Sequence, residues 1–425
     1  MTADEAARRA EDSARRAVVA VWRIESARIV ATLTRHTGDF ALAEDLAQEA
    51  LADALAQWPE RGVPRNGAAW LTAVAKRKAI DHWRRRERLD DRVAAIAHDL
   101  EREQDEAADA LPWDPDEIDD DVLRLVFIAC HPLLAPQARV ALTLRVVAGL
   151  ETAEIARAFL VPVATVQQRI VRAKQALADA RVPFEAPPRG ERAQRLAAVL
   201  GVLYVIFTEG HAATAGDDWM RPDLAREAIR LARTLAALQP DEPEVHGLLA
   251  LLELTAARFP ARVDAQGEPV LLADQDRRRW DRGAIRRGRA ALARAEGFGR
   301  GLGPYALQAA IAECHAVAAD VASTDWSRIV ALYGGLEQVA PSPVVTLNKA
   351  VAVSMADGPG AALAIVDRLA GEKALAIGHL LPSVRGELLS RLGRDEEARA
   401  AFSQAADRTQ NERERAILLA RAATR

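Results

Sequence analysis

The stretch AEIARAFLVPVATVQQRIVRAKQAL, Ala153 to Leu177, holds a single proline, and Pro162 constrains what it can fold into. Proline lacks the amide that an interior helical turn requires, and it pushes its predecessor, here Val161, towards extended backbone. The run therefore predicts two short helices joined by a turn. On the first, Ile155 and Phe159 lie four apart as one apolar stripe, and Thr152 stands where an N-cap belongs. On the second, Val166, Ile170, Ala173 and Leu177 share a face. Thr165, Gln168, Arg169 and Arg172 fall on another face at offsets 0, 3, 4 and 7, with Gln167 among the same polar group. Lys174 and Arg181 carry positive charge on towards the C-terminal end. Amide and guanidinium groups along one exposed edge are what a helix entering a DNA major groove needs, with cations beyond it to meet phosphates. An ordinary helical hairpin with a solvated basic face has the same pattern, so the decision rests on the sequence upstream.

The rest of the chain extends the helical theme. Its 425 residues suggest about three domains of ordinary size. Half of them are hydrophobic and only 4% aromatic, and Leu, Ala, Arg and Glu outweigh β-branched runs, so an all-α fold is expected. Four zones separate by composition. Residues 1–92 are helical and end in the basic run KRKAIDHWRRRER, with seven Lys or Arg against two acids. Residues 93–121 read as an acidic linker, with eleven carboxylates against one arginine from Leu100 onward. Residues 122–184 return to helical periodicity and contain the opening stretch. The prolines of VPFEAPPRGE then break the pattern, and residues 185–425 form a long helical region.

Near its end that region repeats. Ala398, Phe402 and Ala405 follow Leu392-Gly393 at the offsets of the second half of a tetratricopeptide unit, and Ala362, Val366 and Leu369 stand at similar offsets upstream. Ala362 and Ala398 are 36 residues apart, close to the roughly 34-residue period of such repeats. A TPR-like stack of paired helices is expected there.

Chemistry-bearing constellations are not apparent. Cys130 and Cys314 are too far apart to suggest a disulfide framework or a thiolate cluster, and the eight histidines show no ligand spacing. Asp274, Asp276 and Asp281 are interleaved with arginines, which argues for a salt-bridged turn over a cation site. His131 and His211 read as packed or surface residues. No catalytic residue, metal or cofactor is expected. The N-terminus is charged, and the longest apolar run, Leu196–Phe207, falls short of the roughly 20 residues a bilayer span needs. A cytoplasmic protein without a membrane partner is the expectation.

The residues Asp45-Leu46-Ala47-Gln48-Glu49, then Trp70-Leu71, then Ala79-Ile80-Asp81-His82 closed by Arg84-Arg85-Arg86, together with the helix-turn-helix downstream, resemble the sigma-70 family. The match is closest to its extracytoplasmic-function (ECF) type, which keeps only regions two and four. The remainder looks like the sub-group with a C-terminal TPR-like extension. Where the family usually has glycine in the turn, this chain has Leu160. The resemblance implies a factor that binds core RNA polymerase, recognises promoter DNA and directs transcription initiation. Asp45, Gln48 and Glu49 would grip a coiled coil of the polymerase. The Pro- and Gly-rich segment after them, with Trp58, Arg61, Arg65 and Asn66, would capture a base of the minus-ten element. Lys76, Arg77, Lys78, Arg84, Arg85 and Arg86 would add DNA contacts there. The helix bearing Thr165, Gln167, Gln168, Arg169, Arg172 and Lys174 would read the minus-thirty-five element. The TPR-like region would modulate activity, through a protein or peptide partner. The other reading is a helix-turn-helix transcriptional regulator whose repeat domain senses a ligand or peptide; such a protein would have no need of the Asp45–Glu49 face.

Overall fold

Two short polar punctuations set the first bundle. Helix α1, Ala3–Thr37, stops at Gly38, whose φ of +65° is one that glycine adopts without strain. Asp39 then caps α2, Phe40–Arg61, its carboxylate accepting from the amides of Ala41 and Leu42 at 2.9 and 3.1 Å. Asn66 does the same for α3, Gly67–Arg86, through the amide of Ala69 at 3.0 Å. This is a computed structural model that describes residues 3–86, 115–159, 161–185, 187–211, 220–264, 269–376, 378–409 and 412–423. The chain divides into two compact units, Met1–Val202 and Leu203–Arg425.

In the first unit α1 packs on α2 and α3. Ala43, Ala47, Ala50 and Ala54 are fully buried along one face of α2, and their small side chains let α1 approach closely. Trp58 closes the end of this core at 1% exposure. Its ring fills the space where a Cβ on Gly67 would sit, 2.6 Å from that position, so the start of α3 must be glycine.

Helix α4, Pro115–Ala129, begins six residues before the expected end of the acidic linker. Pro115 suits a first helical position, and Asp116 and Glu117 favour a helix N-terminus, so the end of the acidic run is helical rather than loose. The rest of the expected linker, together with residues 87–92, lies outside the described residues. Asp121 is buried, and it pairs with Arg35 of α1 and Arg124, so α4 is tied to the first bundle. Helix α5, Pro136–Leu142, runs on into a wider π-helical turn, Thr143–Val147, and ends at Gly149 with φ +69°. The helix-turn-helix follows as α6, Thr152–Ala158, and α7, Val163–Asp179.

Helix α8, Arg189–His211, contains the point at which the two units divide. Among the described residues it alone is long and apolar enough to cross a bilayer by length and composition, over Gly190–His211.

The second unit continues with α9 (Pro222–Leu238), α10 (Pro243–Ala256), α11 (Arg282–Gly297), α12 (Pro304–Val317), α13 (Trp326–Val339), α14 (Pro343–Ala356), α15 (Pro359–Arg368), α16 (Leu380–Arg391), α17 (Asp395–Arg408) and α18 (Glu412–Ala423). From α13 to α18 each helix packs on the next. Ala362, Val366, Leu369, Ala398, Phe402 and Ala405, singled out by the repeat signal, are all buried in one core. Gly386 of α16 meets the Phe402 ring so closely that a Cβ would lie 2.9 Å from it. The ADQDRRRWD segment is built from internal contacts. Asp276 holds Arg278, Asp281 caps α11, and buried Arg277 donates to the carbonyls of His315 and Ala318 at 2.6 and 2.9 Å. Asp274 is exposed, and no group of three or more metal-ligating side chains occurs among the described residues. His211 clusters with the rings of Phe207 and Phe259, and burial, then Arg262, pushes its pKa well below the ordinary value.

Trp58→Ala should cost about 3–5 kcal/mol by emptying the core end, and Gly67→Ala about 1–3 kcal/mol by overpacking against the same ring. Chemical denaturation of the two variants checks both, with equal stability to the parent as the contrary result. Burial pushes the Cys130 thiol up to about 11 and raises that of Cys314. Both thiols should therefore resist a thiol reagent at neutral pH in the folded chain and react fully once it is denatured.

Candidate polymerase and nucleic-acid interface

Helix α2 has two opposed faces. Its alanine stripe faces α1, and on the far side, at about 100° per residue, stand Glu44, Asp45, Gln48 and Glu49. This ridge is not bare. Lys78 of α3 lies along one edge, its ammonium 3.0 Å from Asp53 and 3.4 Å from Glu49. The hydrogen bond that Lys78 donates to Asp53 leads in raising its pKa above the ordinary lysine value, and Glu49 adds to it. Along the other edge Arg145 donates to the Gln48 side-chain oxygen at 2.6 Å and lies 3.6 Å from Glu44. Lys174 of α7 pairs with Glu44, and with Asp45 at 2.9 Å. The Glu44 side chain is only 4% exposed, against 68% for Asp45, so Glu44 is the buried anchor of the cluster. Burial alone would lower the Lys174 pKa; the two carboxylates outweigh it and hold it above the ordinary value.

Glu44 and Arg145 are members of this cluster that the sequence motifs do not single out. Glu44 is one helical turn before Gln48 on the same face, and Arg145 interrupts the apolar run ALTLRVVAGL; a lone charge in such a run signals a buried partner.

Arg61 at the end of α2 is exposed, as are Arg65 and Asn66 in the segment before α3, though the Asn66 side-chain oxygen is engaged in capping α3. Trp58 corrects the expectation of a base-stacking platform: it is buried, edge-on to Trp70 at 5.6 Å and 75°, because the Gly67 notch draws its ring inward. Trp70 is half-buried beside it. On α3 Arg77 and Arg84 are exposed and Lys76 is half-buried, while Lys78 is committed to the α2 carboxylates. The side chains of Arg85 and Arg86 lie outside the described residues.

Helix α7 buries Val166, Ile170, Ala173 and Leu177, the stripe its sequence predicts. This burial turns Thr165, Gln168, Arg169 and Arg172 outward along one flank, with Gln168 and Arg172 exposed and Thr165 and Arg169 partly so. Lys174 and exposed Gln167 lie on the opposite flank of the stripe, since seven residues at about 100° each nearly superpose them. Lys174, grouped from sequence with the DNA-reading residues, thus faces α2 here. The turn before α7 is made around Pro162, whose carbonyl accepts from the Thr165 amide at 2.9 Å, while the Val161 amide reaches back to Ala156 at 3.1 Å. Leu160, at the usual glycine position, lies outside the described residues. After α7, Arg181 takes φ +47° and the Val182 amide returns to the Leu177 carbonyl, ending the helix with a left-handed residue that is not glycine.

Three family models match the chain. Residues 21–89 match sigma-70 region 2 and residues 124–177 match sigma-70, region 4. Residues 195–296 match a family of unknown function (DUF6596). An uncharacterized protein of Rhizobium meliloti is 47% identical over 374 residues, 88% of this chain and 87% of that protein. A Mycobacterium tuberculosis protein named "Probable ECF RNA polymerase sigma factor SigI" is 30% identical over 179 residues, 41% of this chain and 59% of its own length. No solved structure matches. The two sigma models fall in order on the two modules that carry the acidic ridge and the helix-turn-helix, and the chain belongs to the sigma-70 family of RNA polymerase sigma factors, of the ECF type.

Proposed function

We propose that this sigma factor grips core RNA polymerase with the α2 ridge of Asp45, Gln48 and Glu49, to which Glu44 is added. Carboxylates facing a basic partner helix give both steering and register. Arg61, Arg65 and Asn66 meet the minus-ten element, with Lys76, Arg77, Arg84, Arg85 and Arg86 supplying phosphate contacts whose strength comes from counterion release. Thr165, Gln168, Arg169 and Arg172 of α7 read the minus-thirty-five major groove. Sigma factors are not enzymes, and each of these steps is binding rather than covalent chemistry. The site of action is the cytoplasm, where the polymerase works. The observation that carries the reading is the outward row on α7: four polar side chains turned wholly or partly to solvent by burial of the apolar stripe, in a chain that also holds a separate acidic ridge.

The second unit is read as a TPR-like regulatory stack. In support, its last helices pack neighbour on neighbour, and the small and aromatic positions of the repeat, Ala398, Phe402 and Ala405, lie in the shared core. Such stacks bind partners on their surfaces, so the extension modulates the factor through a protein or peptide.

Arg169→Ala and Arg172→Ala should each weaken minus-thirty-five duplex binding by about 1–3 kcal/mol where the side chain reads a base, and a phosphate-contacting arginine should reduce the salt slope by about 1. Fluorescence anisotropy at several salt concentrations measures both; unchanged affinity and slope in the two variants would refute the groove-facing assignment. Run-off transcription with core polymerase should differ several-fold between the full chain and one ending at Val182. Equal output from the two would remove the regulatory role.

A further inference from the structure

The contacts of the α2 ridge point to a second use for it. Three side chains on the Glu44 edge of the ridge contact region 4: Glu44 and Asp45 pair with Lys174, and Glu44 and Gln48 meet Arg145. These two cations come from separate elements of region 4, α7 and the π-helical turn, so the contact is a two-point fit. A third tie lies midway along α4, where buried Asp121 pairs with Arg35 of α1. Exposed ion pairs contribute little, but Glu44 is nearly inaccessible, and removing both cations would strand a buried charge.

We propose that Lys174 and Arg145 form a latch that folds region 4 onto the polymerase-gripping ridge, and that polymerase binds by replacing these two cations with basic side chains of its own. This rests on the assignment of the ridge to polymerase. The same carboxylates cannot serve both partners at once, so the latched chain and the polymerase-bound chain are mutually exclusive. The latch spares DNA reading: Lys174 stands on the flank of α7 opposite Gln168, Arg169 and Arg172, which stay outward in the latched form. It therefore restrains polymerase docking and leaves binding of an isolated minus-thirty-five duplex largely untouched.

The test uses the full chain with spin labels at Ala52→Cys on α2 and Val171→Cys on α7, both exposed positions; Cys130 and Cys314 are buried. Electron–electron distance measurements on the free protein should give one narrow, short distribution. Adding Lys174→Glu and Arg145→Glu should lengthen and broaden it, and so should adding core polymerase to the labelled parent. In unlabelled chains, Lys174→Ala with Arg145→Ala should tighten core polymerase binding about tenfold, while minus-thirty-five duplex affinity shifts less than threefold. Lys174→Arg should behave as the parent, and thermal melts confirm that the variants fold. A free-chain distribution that the charge reversals leave unchanged would overturn the latch. A short distance that persists in the polymerase complex would overturn the displacement. Absence of any core binding would instead strike at the polymerase assignment, and the free-chain comparison would still decide whether region 4 is held on α2.

Discussion

Glu44 is the point on which the first unit turns. A carboxylate withdrawn from water is costly unless cations and donors replace its hydration, and here Lys174 and Arg145 do so. The geometry follows from α2 itself. Four alanines on one side set it close against α1, which leaves the opposite side to carry Glu44, Asp45, Gln48 and Glu49. Lys78 borders that ridge on one edge and region 4 on the other, so a helix that sequence presents as an open acidic face is flanked by positive charge on both sides.

The second unit uses the same physics for architecture. Glu253 of α10 is 2% exposed and receives Arg233 of α9 and Arg287 of α11, at 2.8 and 3.0 Å, so one carboxylate binds three helices together. Glu244 accepts the amides of Tyr305 and Ala306 at the start of α12 at 2.8 and 3.2 Å. Burial raises its pKa while these amides favour the charged form, and Gly303 is required because a Cβ would overlap the carboxylate. These acids are satisfied within the unit that holds them. Glu44 is also satisfied within its own unit, but its partners come from region 4 while it stands on region 2.

Periodicity made the local elements legible. The buried stripe of α7, the break at Pro162 and the packed repeat positions Ala398, Phe402 and Ala405 follow from spacing alone, because an apolar stripe has one place to go. Charge was harder to place. Lys174 and Gln167 fall near Gln168, Arg169 and Arg172 in sequence but across the stripe on the helix, and the order of basic residues along the chain does not carry that angle. Trp58 stands in a loop-like context rich in Pro and Gly, yet the missing side chain of Gly67 makes room for its ring in the core. The acidic run reads as uniformly solvated, but Pro115 and the carboxylates after it also make a good helix start, and Asp121 finds Arg35 in tertiary structure. Long-range pairs such as Arg145 with Gln48 join residues 97 apart, beyond any local rule.

A tethered competitor behaves differently from a free one. Because region 4 belongs to the same chain as the ridge, its cations compete at an effective concentration of order mM, far above that of a dilute polymerase. Polymerase must therefore offer more than a copy of Lys174 and Arg145. Exchanging cation for cation leaves the desolvation of Glu44 nearly unchanged, so the net gain has to come from surface beyond the ridge, and from the minus-ten contacts that become available once the factor is docked. Two charged side chains make a latch of suitable strength, able to hold a module that is already nearby and still yield to a larger interface. Neutral pH does not open it, since the raised Lys174 pKa keeps its charge through the physiological range, and on the basic side the pairing is lost as pH rises past it. The signal that releases region 4 must then be a binding event rather than a proton.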